Sequence, residues 1–224
     1  SQTVNLEPAL ALIREADADI VALQELSAAM GDHIRLALAD EYPYQALHTN
    51  PLDSVSGQGV LSRYPITSDD YWRLYRVTQR VTLDIQGQTV VFYNAHPPQP
   101  IRRDGFFRRA EHITDLLAHA TQETDPVILA GDFNMSDQSA DYWRIAAQYQ
   151  DSYRASGWGL GLTFPAGIPY FGDGRYGSSL FRLVPPLVRL DYVFHDAAFD
   201  SLEARVWPTS GGSDHLPVFV TLAM

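Results

Sequence analysis

The sequence predicts an α/β fold in which helices cover mixed β-sheets. Short apolar runs alternate with segments whose apolar residues recur every three or four positions, a pattern typical of strands alternating with amphipathic helices. Two of the apolar runs are joined by Gln86-Gly87-Gln88, which predicts a hairpin and therefore some antiparallel pairing. The chain has 224 residues, of which 46% are hydrophobic, so it can bury a substantial core. We expect a single domain over residues 1–224.

The chain begins with a predicted helix, strand and second helix. Leu10 and Ile13 fall on one face of the first helix, which we expect Asn5 to cap and which has Pro8 in its first turn. The apolar run at residues 19–23 predicts a buried strand, and the periodicity of residues 27–40 predicts the second helix. This order is typical of the start of an α/β domain.

The remaining elements follow from the same two periodicities. Alternating and apolar runs predict strands at 71–77, 80–85, 89–93, 127–130, 188–194, 202–206 and 218–222. Helical spacing predicts helices at 104–120 and, after Ser139, at 140–149.

Carboxylates occur at the ends of several of these strands. The apolar run 127–130 leads into Gly131-Asp132-Phe133-Asn134, and alternation along a strand turns Asp132 and Asn134 the same way where the strand ends. Ligands bind at such ends in α/β sheets, although a Gly-Asp-x-Asn run is also a common turn. Glu25, Asp191 and Asp214 occupy comparable positions. Half-buried carboxylates are unfavourable unless they are paired or bind a cation, so the repetition favours a functional site.

These motifs also support a family assignment. They are Gln24-Glu25, Gly59 to Ile66, Asn94-Ala95-His96, Gly131 to Asn134, Arg189 to Tyr192 and Ser213-Asp214-His215. In this order they resemble the endonuclease/exonuclease/phosphatase superfamily over nearly the whole chain. The resemblance implies a deoxyribonuclease I-like four-layer α/β sandwich, with two facing mixed sheets and the site at one rim. It also implies a metal-dependent phosphoesterase.

The resemblance assigns roles to particular residues. Glu25 and Asp214 are the implied metal ligands, and so sparse a set of oxygen donors suits Mg²⁺ or Mn²⁺ better than zinc. Asp132 and Asn134 would position the attacking water and a phosphate oxygen. The number of metal ions stays open.

Two histidines complete the implied catalytic set. His215 is expected to pair with Asp191, which would fix its tautomer and raise its pKa. His96 would donate a hydrogen bond to the phosphate, and its alternative is an ordinary loop residue in a His-Pro-Pro run. Whether Asp132 or His215 takes the proton from water stays open.

Substrate contacts are predicted in two segments. Arg108 and Arg109, close behind Arg102 and Arg103, are candidate phosphate ligands, although an arginine run at a helix start is more often a solvated face. The long Gly-, Pro- and aromatic-rich segment 155–187 is expected to set substrate choice, and Trp158 is its first candidate for stacking on a base or sugar ring. Core packing is the alternative for its aromatics.

Composition limits the classes of substrate and metal site that we expect but does not identify the substrate. The net charge is −11 and all sixteen basic residues are arginine, so strong non-specific binding to nucleic acid is not expected. With no cysteine, any metal must be held by oxygen and imidazole. We expect a monomeric phosphodiesterase acting on nucleic acid, a nucleotide or a lipid head group. The alternatives are a phosphomonoesterase acting on a sugar or inositol phosphate, and a non-catalytic binding module.

The family pattern also implies a strand before the first helix. Almost no sequence precedes that helix, so we expect an upstream strand in the natural protein, where a membrane anchor would also lie. The localisation is therefore open between the bacterial cytoplasm and a membrane-associated site.

Overall fold

The computed structural model describes residues 6–50, 56–101, 104–166 and 184–224. The helices in these ranges are α1 (Glu7–Ala16), α2 (Ala28–Ala37), α3 (Gly105–Ala120), α4 (Ala140–Ala146) and α5 (Ser152–Ser156). The strands are β1 (Ile20–Gln24), β2 (Tyr44–His48), β3 (Gln58–Ser62), β4 (Ile66–Arg73), β5 (Val77–Ile85), β6 (Gln88–Ala95), β7 (Val127–Asp132), β8 (Gln150–Asp151), β9 (Asp191–His195), β10 (Asp200–Val206) and β11 (Val218–Ala223). None of the described helices combines the length and the hydropathy needed to cross a membrane.

The largest sheet has six strands in the order β4-β5-β6-β7-β9-β8. The β6–β7 pair is parallel, because α3 provides the crossover between these strands. The other pairs in this sheet are antiparallel. The sheet is therefore mixed, as the sequence predicts.

The facing strands form two antiparallel groups, β1-β3-β2 and β10-β11. Within the described residues, β1 pairs only with β3 and β11 pairs only with β10. Every residue of β1 and of β11 is half-buried, which is less burial than the central strand β3 has. The strand expected upstream of α1 lies outside the described residues.

Three apolar clusters separate four layers. The first packs α1 and α2 on the outer face of β1-β3-β2 through residues such as Leu10, Ile34 and Leu61. The second lies between the sheets and includes Val60 and Phe92. The third packs α3 and α4 against the other face of the six-stranded sheet. The predicted four-layer α/β sandwich is confirmed.

Polar side chains connect the two facing sheets. Asn94 of β6 donates from Nδ2 to the carbonyl oxygens of Leu23 and Gly59, both at 3.0 Å. Its Oδ1 accepts a hydrogen bond from Nε2 of Gln24 at 2.7 Å. Gln79 of β5 donates to the carbonyl oxygen of Ala46 at 3.0 Å. Directional bonds of this kind fix how the sheets are placed relative to each other, which apolar contacts alone do only weakly.

Most predicted elements occur with shifted ends. The β5–β6 hairpin is confirmed, and its turn residues Gln86 and Gly87 both have positive φ, as a two-residue type I′ turn requires. Ser27 caps α2 by accepting a hydrogen bond from the backbone N–H of Met30. The α4 helix ends at Ala146, three residues before the predicted end. Asn5, the expected cap of α1, lies outside the described residues.

Two predictions of the strand pattern were wrong or incomplete. Residues 71–77 do not form one strand, because β4 ends at Arg73 and β5 begins at Val77, with a bend over residues 74–76 between them. The strand β2 was not predicted. Of the segment 155–187, residues 167–183 lie outside the described ranges, as do Arg102 and Arg103.

Candidate active site

The predicted polar positions of the six-stranded sheet meet at one of its edges. His96 directly follows β6, Asp132 ends β7 and Asp191 begins β9. Because β6 and β7 are parallel and β9 is antiparallel to β7, these three ends lie together, and Asp132 is the cross-strand partner of Asp191. The backbones of β6 and β7 approach each other closely at this edge. A Cβ at Gly131, whose φ is 142°, would lie 2.0 Å from the carbonyl oxygen of Ala95.

Glu25 reaches this edge from the facing sheet. It follows β1 with a φ of 55°, and the next residue, Leu26, donates its N–H to the carbonyl oxygen of Gly57 at 3.0 Å. A Cβ at Gly57 would lie 1.8 Å from the carbonyl oxygen of Leu26, so this backbone contact requires glycine. Burial and the charge of Asp214 raise the pKa of Glu25. Its side chain is 49% exposed, and Oε1 lies 3.9 Å from Nε2 of His96.

His215 forms the predicted pair with Asp191. Its Nδ1 lies 2.8 Å from Oδ2 of Asp191, and its ring packs at 4.9 Å from the ring of Phe164. Burial disfavours the imidazolium, but the hydrogen bond and charge of Asp191 outweigh it, helped by Asp132 and Asp214. These carboxylates raise the pKa of His215 to about 9. The ring is therefore a cation at neutral pH.

Asp132 is the buried carboxylate at the centre of the site. Burial and the neighbouring charge of Asp191 raise its pKa well above the usual range, although the charge of His215 and the N–H of Asn134 act the other way. Its Oδ1 accepts that N–H at 2.8 Å. Its Oδ2 lies 3.7 Å from Nε2 of His96 and 4.0 Å from Nε2 of His215. Asp132 thus faces both imidazoles.

His96 is buried and neutral. Its side chain is 2% exposed, and burial together with the charges of Arg76, His215 and His112 lowers its pKa to about 3. Its Nε2 faces the carboxylates of Glu25 and Asp132, as described above. The ring is therefore part of the site rather than an exposed loop residue.

Arg109 supports Asn134 from beneath. The Asn134 backbone has a φ of 50°, and its Nδ2 donates to the carbonyl oxygen of Pro97 at 3.0 Å. Arg109 donates from Nη1 to the carbonyl oxygen of Asn134 at 2.6 Å and pairs with Asp141 at 2.9 Å. Its guanidinium is buried in these contacts, so the structure gives Arg109 a supporting position rather than the exposed one that a substrate ligand requires. The interpretation of Arg109 as a substrate ligand is corrected accordingly.

Asp214 lies on the loop before β11, next to His215. Its side chain is exposed, and its backbone oxygen accepts a hydrogen bond from the N–H of Ala166 at 2.8 Å. The N–H of Leu216 donates in turn to the carbonyl oxygen of Thr163 at 2.8 Å. Thr163 also accepts the backbone N–H of Leu190 at 3.1 Å through its Oγ1. Residues 163–166 thus hold the Asp214 loop against the start of β9.

Comparison with known proteins places this arrangement in a family. The sequence model of the Endonuclease/Exonuclease/phosphatase family matches residues 4–215. The chain belongs to this family. The members of the Endonuclease/Exonuclease/phosphatase family are phosphoester hydrolases. No curated protein sequence matches the chain at a significant level.

Solved structures share the family fold. A family protein from Leptotrichia buccalis C-1013-b is 20% identical, with a TM-score of 0.73 over 98% of this chain and 92% of that one. The mannosyl-6-phosphatase Bt3783 of Bacteroides thetaiotaomicron is 18% identical, with a TM-score of 0.74 over 97% and 90%. Humanized D. rerio TDP2 with 14 mutations is 17% identical, with a TM-score of 0.76 over 100% and 94%. At these identities the similarity shows the fold alone.

Two predicted substrate ligands, Arg108 and Trp158, lie at the periphery of the candidate site. Arg108 pairs with Asp104 at 2.7 Å, and its guanidinium lies 5.5 Å from the ring centre of Tyr75. Trp158 is 94% exposed, and its carbonyl oxygen accepts a hydrogen bond from the hydroxyl of Tyr153 at 2.6 Å. Within the described residues, neither side chain contacts Glu25, Asp132 or His215.

Arg76 belongs to the site but was missed in the sequence. It lies in the bend between β4 and β5, where its positive charge lowers the pKa of both Glu25 and His96. Because the sequence predicts one strand over residues 71–77, the bend that contains Arg76 was not recognised. In the antiparallel β5–β6 hairpin Thr78 pairs with Ala95, so continuing the same register by two positions places Arg76 opposite Pro97. This register could have identified Arg76 as a candidate site residue.

The donor set fits a divalent metal ion. Glu25, Asp132, Asp191 and Asp214 converge with two imidazoles, and one ligand atom from each of Asp132, Asp191 and His215 lies within 4.8 Å of the others. Burial is the largest cause of the raised pKa values of Glu25 and Asp132, and the charges of neighbouring carboxylates add to it. Carboxylate oxygens are the ligands that hard divalent cations prefer, and such an ion would offset both effects.

Proposed function

We propose that the chain is a divalent-metal-dependent phosphodiesterase that uses Mg²⁺ or Mn²⁺. Its substrate would be a phosphate diester of nucleic acid, a nucleotide or a lipid head group. The observation that carries the proposal is the convergence of the charged His215–Asp191 pair and the buried Asp132 on one point of the site. A cationic donor beside a high-pKa carboxylate is suited to hydrolysing a phosphate ester.

The metal would be held by Glu25 and Asp214. When bound, a divalent cation neutralises charge on the phosphate oxygens and lowers the pKa of the attacking water. The proposed role for these two residues follows from the family motifs and agrees with their electrostatic contact, since the charge of Asp214 raises the pKa of Glu25. Asp132 and Asp191 would face the same ion from the six-stranded sheet, and His215 from the loop before β11.

The remaining residues have separate roles. Asp132 accepts the proton of the attacking water, because its raised pKa makes it a stronger base than an ordinary carboxylate and His215 already carries its proton. His215 is already protonated, so it donates to a phosphate oxygen, with Asp191 holding its other nitrogen. Asn134 orients the water or a phosphate oxygen through its carboxamide. His96, which is neutral, donates to the phosphate from Nε2.

The charge of the site favours a diester over a monoester. Within the described ranges, Arg76 and His215 are the cations that lower the pKa of Glu25, and His215 is the cation that lowers that of Asp132. The site has four carboxylates and these two cations, so negative charge is in excess. A phosphate monoester carries nearly two negative charges at neutral pH and a diester carries one, so the diester requires less positive charge from the protein.

Hydrolysis of two chromogenic esters tests the proposal. Bis(4-nitrophenyl) phosphate and 4-nitrophenyl phosphate are compared with Mg²⁺ or Mn²⁺ and with EDTA. We expect metal-dependent turnover of the diester that falls by about 10²-fold or more in His215→Ala. His33→Ala is the matched control, because His33 is a half-exposed histidine of α2 outside the site.

The outcomes separate the three candidate functions. Turnover of only the monoester would replace the proposal with a phosphomonoesterase. Metal binding measured by calorimetry without turnover of either ester would favour a non-catalytic binding module. Equal loss of activity in His33→Ala and His215→Ala would show that the effect is structural and would remove the support for His215.

A further inference from the structure

Four large apolar side chains are exposed beside the candidate site. Leu74 is 46% exposed, Ile101 81%, Phe106 61% and Phe107 63%. We call these four residues the apolar patch. Single exposed hydrophobic residues are common on protein surfaces, but several together mark a surface that binds a partner. The catalytic residues do not explain why this patch is exposed.

The patch comes from two segments that contact each other. Leu74 lies in the bend between β4 and β5, and the ring centre of the adjacent Tyr75 lies 5.5 Å from the guanidinium carbon of Arg108. The hydroxyl of Tyr75 also donates to the carboxylate of Glu111 in α3. Phe107 directly precedes Arg108 in the first turn of α3. The bend and the start of α3 therefore form one surface.

The loop before α3 adds Ile101 to this surface. A Cβ at Gly105 would lie 2.7 Å from Cα of Pro100, so the loop packs directly against the first residue of α3. Ile101 follows Pro100, and Phe106 follows Gly105. The ring centre of Phe106 lies 5.3 Å from the guanidinium carbon of Arg109, which supports the candidate site from beneath. The patch is thus continuous with the side of the site.

A further apolar residue lies on the other flank of the site. Leu187 is 66% exposed, and its N–H donates to the carbonyl oxygen of Phe164 at 2.8 Å. The ring of Phe164 packs on His215. On the flank of the patch, Arg76 belongs to the site and lies two residues after Leu74. The catalytic residues therefore lie between exposed apolar side chains on both flanks.

Arginine dominates the charge around the patch although the chain is acidic. Arg73, Arg76 and Arg108 are exposed or half-exposed in the two segments, residues 73–76 and 104–111. The carboxylates of these segments are Asp104 and Glu111, so the arginines outnumber them. The net charge of the whole chain is −11, and this excess of negative charge is absent around the patch.

A phospholipid surface fits this combination better than nucleic acid does. Leu74 and Ile101 are aliphatic, whereas stacking on bases requires aromatic or planar side chains. Exposed apolar side chains with arginines among them are typical of proteins that bind the lipid–water interface, where the arginines stay beside the phosphates. A chain with a net charge of −11 is also repelled by a polyanion such as nucleic acid.

We propose that the apolar patch docks the protein on a phospholipid bilayer and that the substrate is the phosphate diester of a phospholipid. This diester lies at the lipid–water interface, so docking through the patch brings it beside the catalytic residues. The identity of the substrate rests on the proposed function, whereas the docking does not. Because the whole chain is acidic, zwitterionic vesicles should bind it at least as well as anionic ones.

The chemical step on this substrate is hydrolysis. The oxygen of water bonds to phosphorus, one P–O ester bond breaks, and the leaving alcohol takes up a proton. The products are a phosphate monoester and an alcohol, and no oxidant or second substrate is needed.

A fluorophore attached at position 107 tests the docking directly. Because the chain has no cysteine, Phe107→Cys provides a single site for the environment-sensitive dye NBD. With vesicles of phosphatidylcholine we expect the NBD emission to move to shorter wavelength and to rise by about twofold or more, since the dye enters an apolar layer. The same label is measured with single-stranded DNA in place of vesicles, and no change is expected there.

Leu36→Cys is the matched control for the label. Leu36 is 81% exposed and lies at the C-terminal end of α2, whose N-terminal end is the one that follows Glu25. We expect its NBD emission to stay unchanged with the same vesicles, because this end of the helix points away from the site edge.

Vesicle sedimentation measures the contribution of the two phenylalanines. We expect the double variant Phe106→Ser/Phe107→Ser to partition onto phosphatidylcholine vesicles about 10-fold less than the wild type, or weaker still. The double variant Leu36→Ser/Leu202→Ser removes two exposed apolar side chains elsewhere and should partition like the wild type. Circular dichroism melting of both double variants checks that they are folded.

Three results would overturn the docking. They are unchanged emission at position 107 with vesicles, an equal change at positions 36 and 107, and a change with single-stranded DNA but not with vesicles. The last result would assign the patch to nucleic acid.

Phosphorus-31 NMR of vesicles containing phosphatidylcholine, phosphatidylethanolamine and phosphatidylglycerol tests the substrate. We expect the wild type with Mg²⁺ or Mn²⁺ to convert a lipid diester signal into that of a monoester. Turnover of bis(4-nitrophenyl) phosphate without turnover of these lipids would remove the proposed substrate. Vesicle binding without turnover of any ester would remove the proposed function but leave the docking intact, and turnover without vesicle binding would do the reverse.

Discussion

Nδ1 of His215 lies 2.8 Å from Oδ2 of Asp191, so one nitrogen of the ring is bound to a carboxylate while the other faces the site. The partners are 24 residues apart in the sequence, with strand β10 between them. Because the bond accounts for much of the raised pKa of His215, it controls the charge of the ring at neutral pH.

Replacing Asp191 with Asn should lower activity and shift its pH dependence. Without the carboxylate, burial dominates and the pKa of His215 falls from about 9, so the ring loses its proton at lower pH. We expect kcat to fall by about 10²-fold or more and the alkaline limb of kcat/KM to move to lower pH. A pH profile from 5 to 10 measures this. An unmoved alkaline limb would mean that another group causes it.

Replacing Asp132 with Asn should inactivate the protein but stabilise its metal-free form. The pKa of Asp132 is raised on folding, so this group disfavours the folded state increasingly as the pH rises from about 4 through its folded pKa. We expect Asp132→Asn to be more stable by about 1–3 kcal/mol at pH 8 in EDTA. Urea unfolding at pH 8 and pH 4 measures this. The difference should vanish at pH 4, and a difference that persists there would contradict the electrostatic explanation.

Arg108 and Arg109 should differ sharply although they are neighbours. Arg109 forms a buried ion pair with Asp141 and binds the backbone at Asn134, whereas Arg108 forms a half-exposed pair with Asp104. We expect Arg109→Ala to reduce the free energy of unfolding by about 3–5 kcal/mol. Arg108→Ala should reduce it by less than about 0.5 kcal/mol. Chemical denaturation compares the two, and equal losses would refute the assigned roles.

A methyl group at position 131 should disrupt the centre of the six-stranded sheet. Gly131 has a φ of 142° and its Cβ would clash with the carbonyl oxygen of Ala95. Gly87 also has a positive φ, but nothing lies within 4 Å of its Cβ position. We expect Gly131→Ala to be less stable than Gly87→Ala by about 2 kcal/mol or more, since only the first adds overlap to backbone strain. Similar melting temperatures for the two variants would show that β6 and β7 can separate without penalty.

Strand ends were the part of the site that the sequence predicted well. Asp132 and Asp191 interrupt apolar runs, and an interruption of that kind is visible without knowledge of tertiary structure. The pairing of the sheets and the family motifs then bring His96 and His215 to the same edge. These predictions depend on local patterns, which the sequence contains explicitly.

The role of Arg109 could not be predicted because it depends on packing between distant segments. Arg109 has the same local pattern as Arg108, and only the position of Asp141 and Asn134 distinguishes a buried side chain from an exposed one. Arg76 was concealed by the bend between β4 and β5.

The hydrogen bonds of Asn94 have a consequence for redesigning this fold. Asn94 binds Gln24, Leu23 and Gly59. Glu25 directly follows Gln24, and His96 lies two residues beyond Asn94. The relative alignment of the two halves of the candidate site is thus set one or two residues before Glu25 and His96. A library that varies the apolar interior but retains Asn94 and Gln24 should yield folded, active variants far more often than one that varies these two amides.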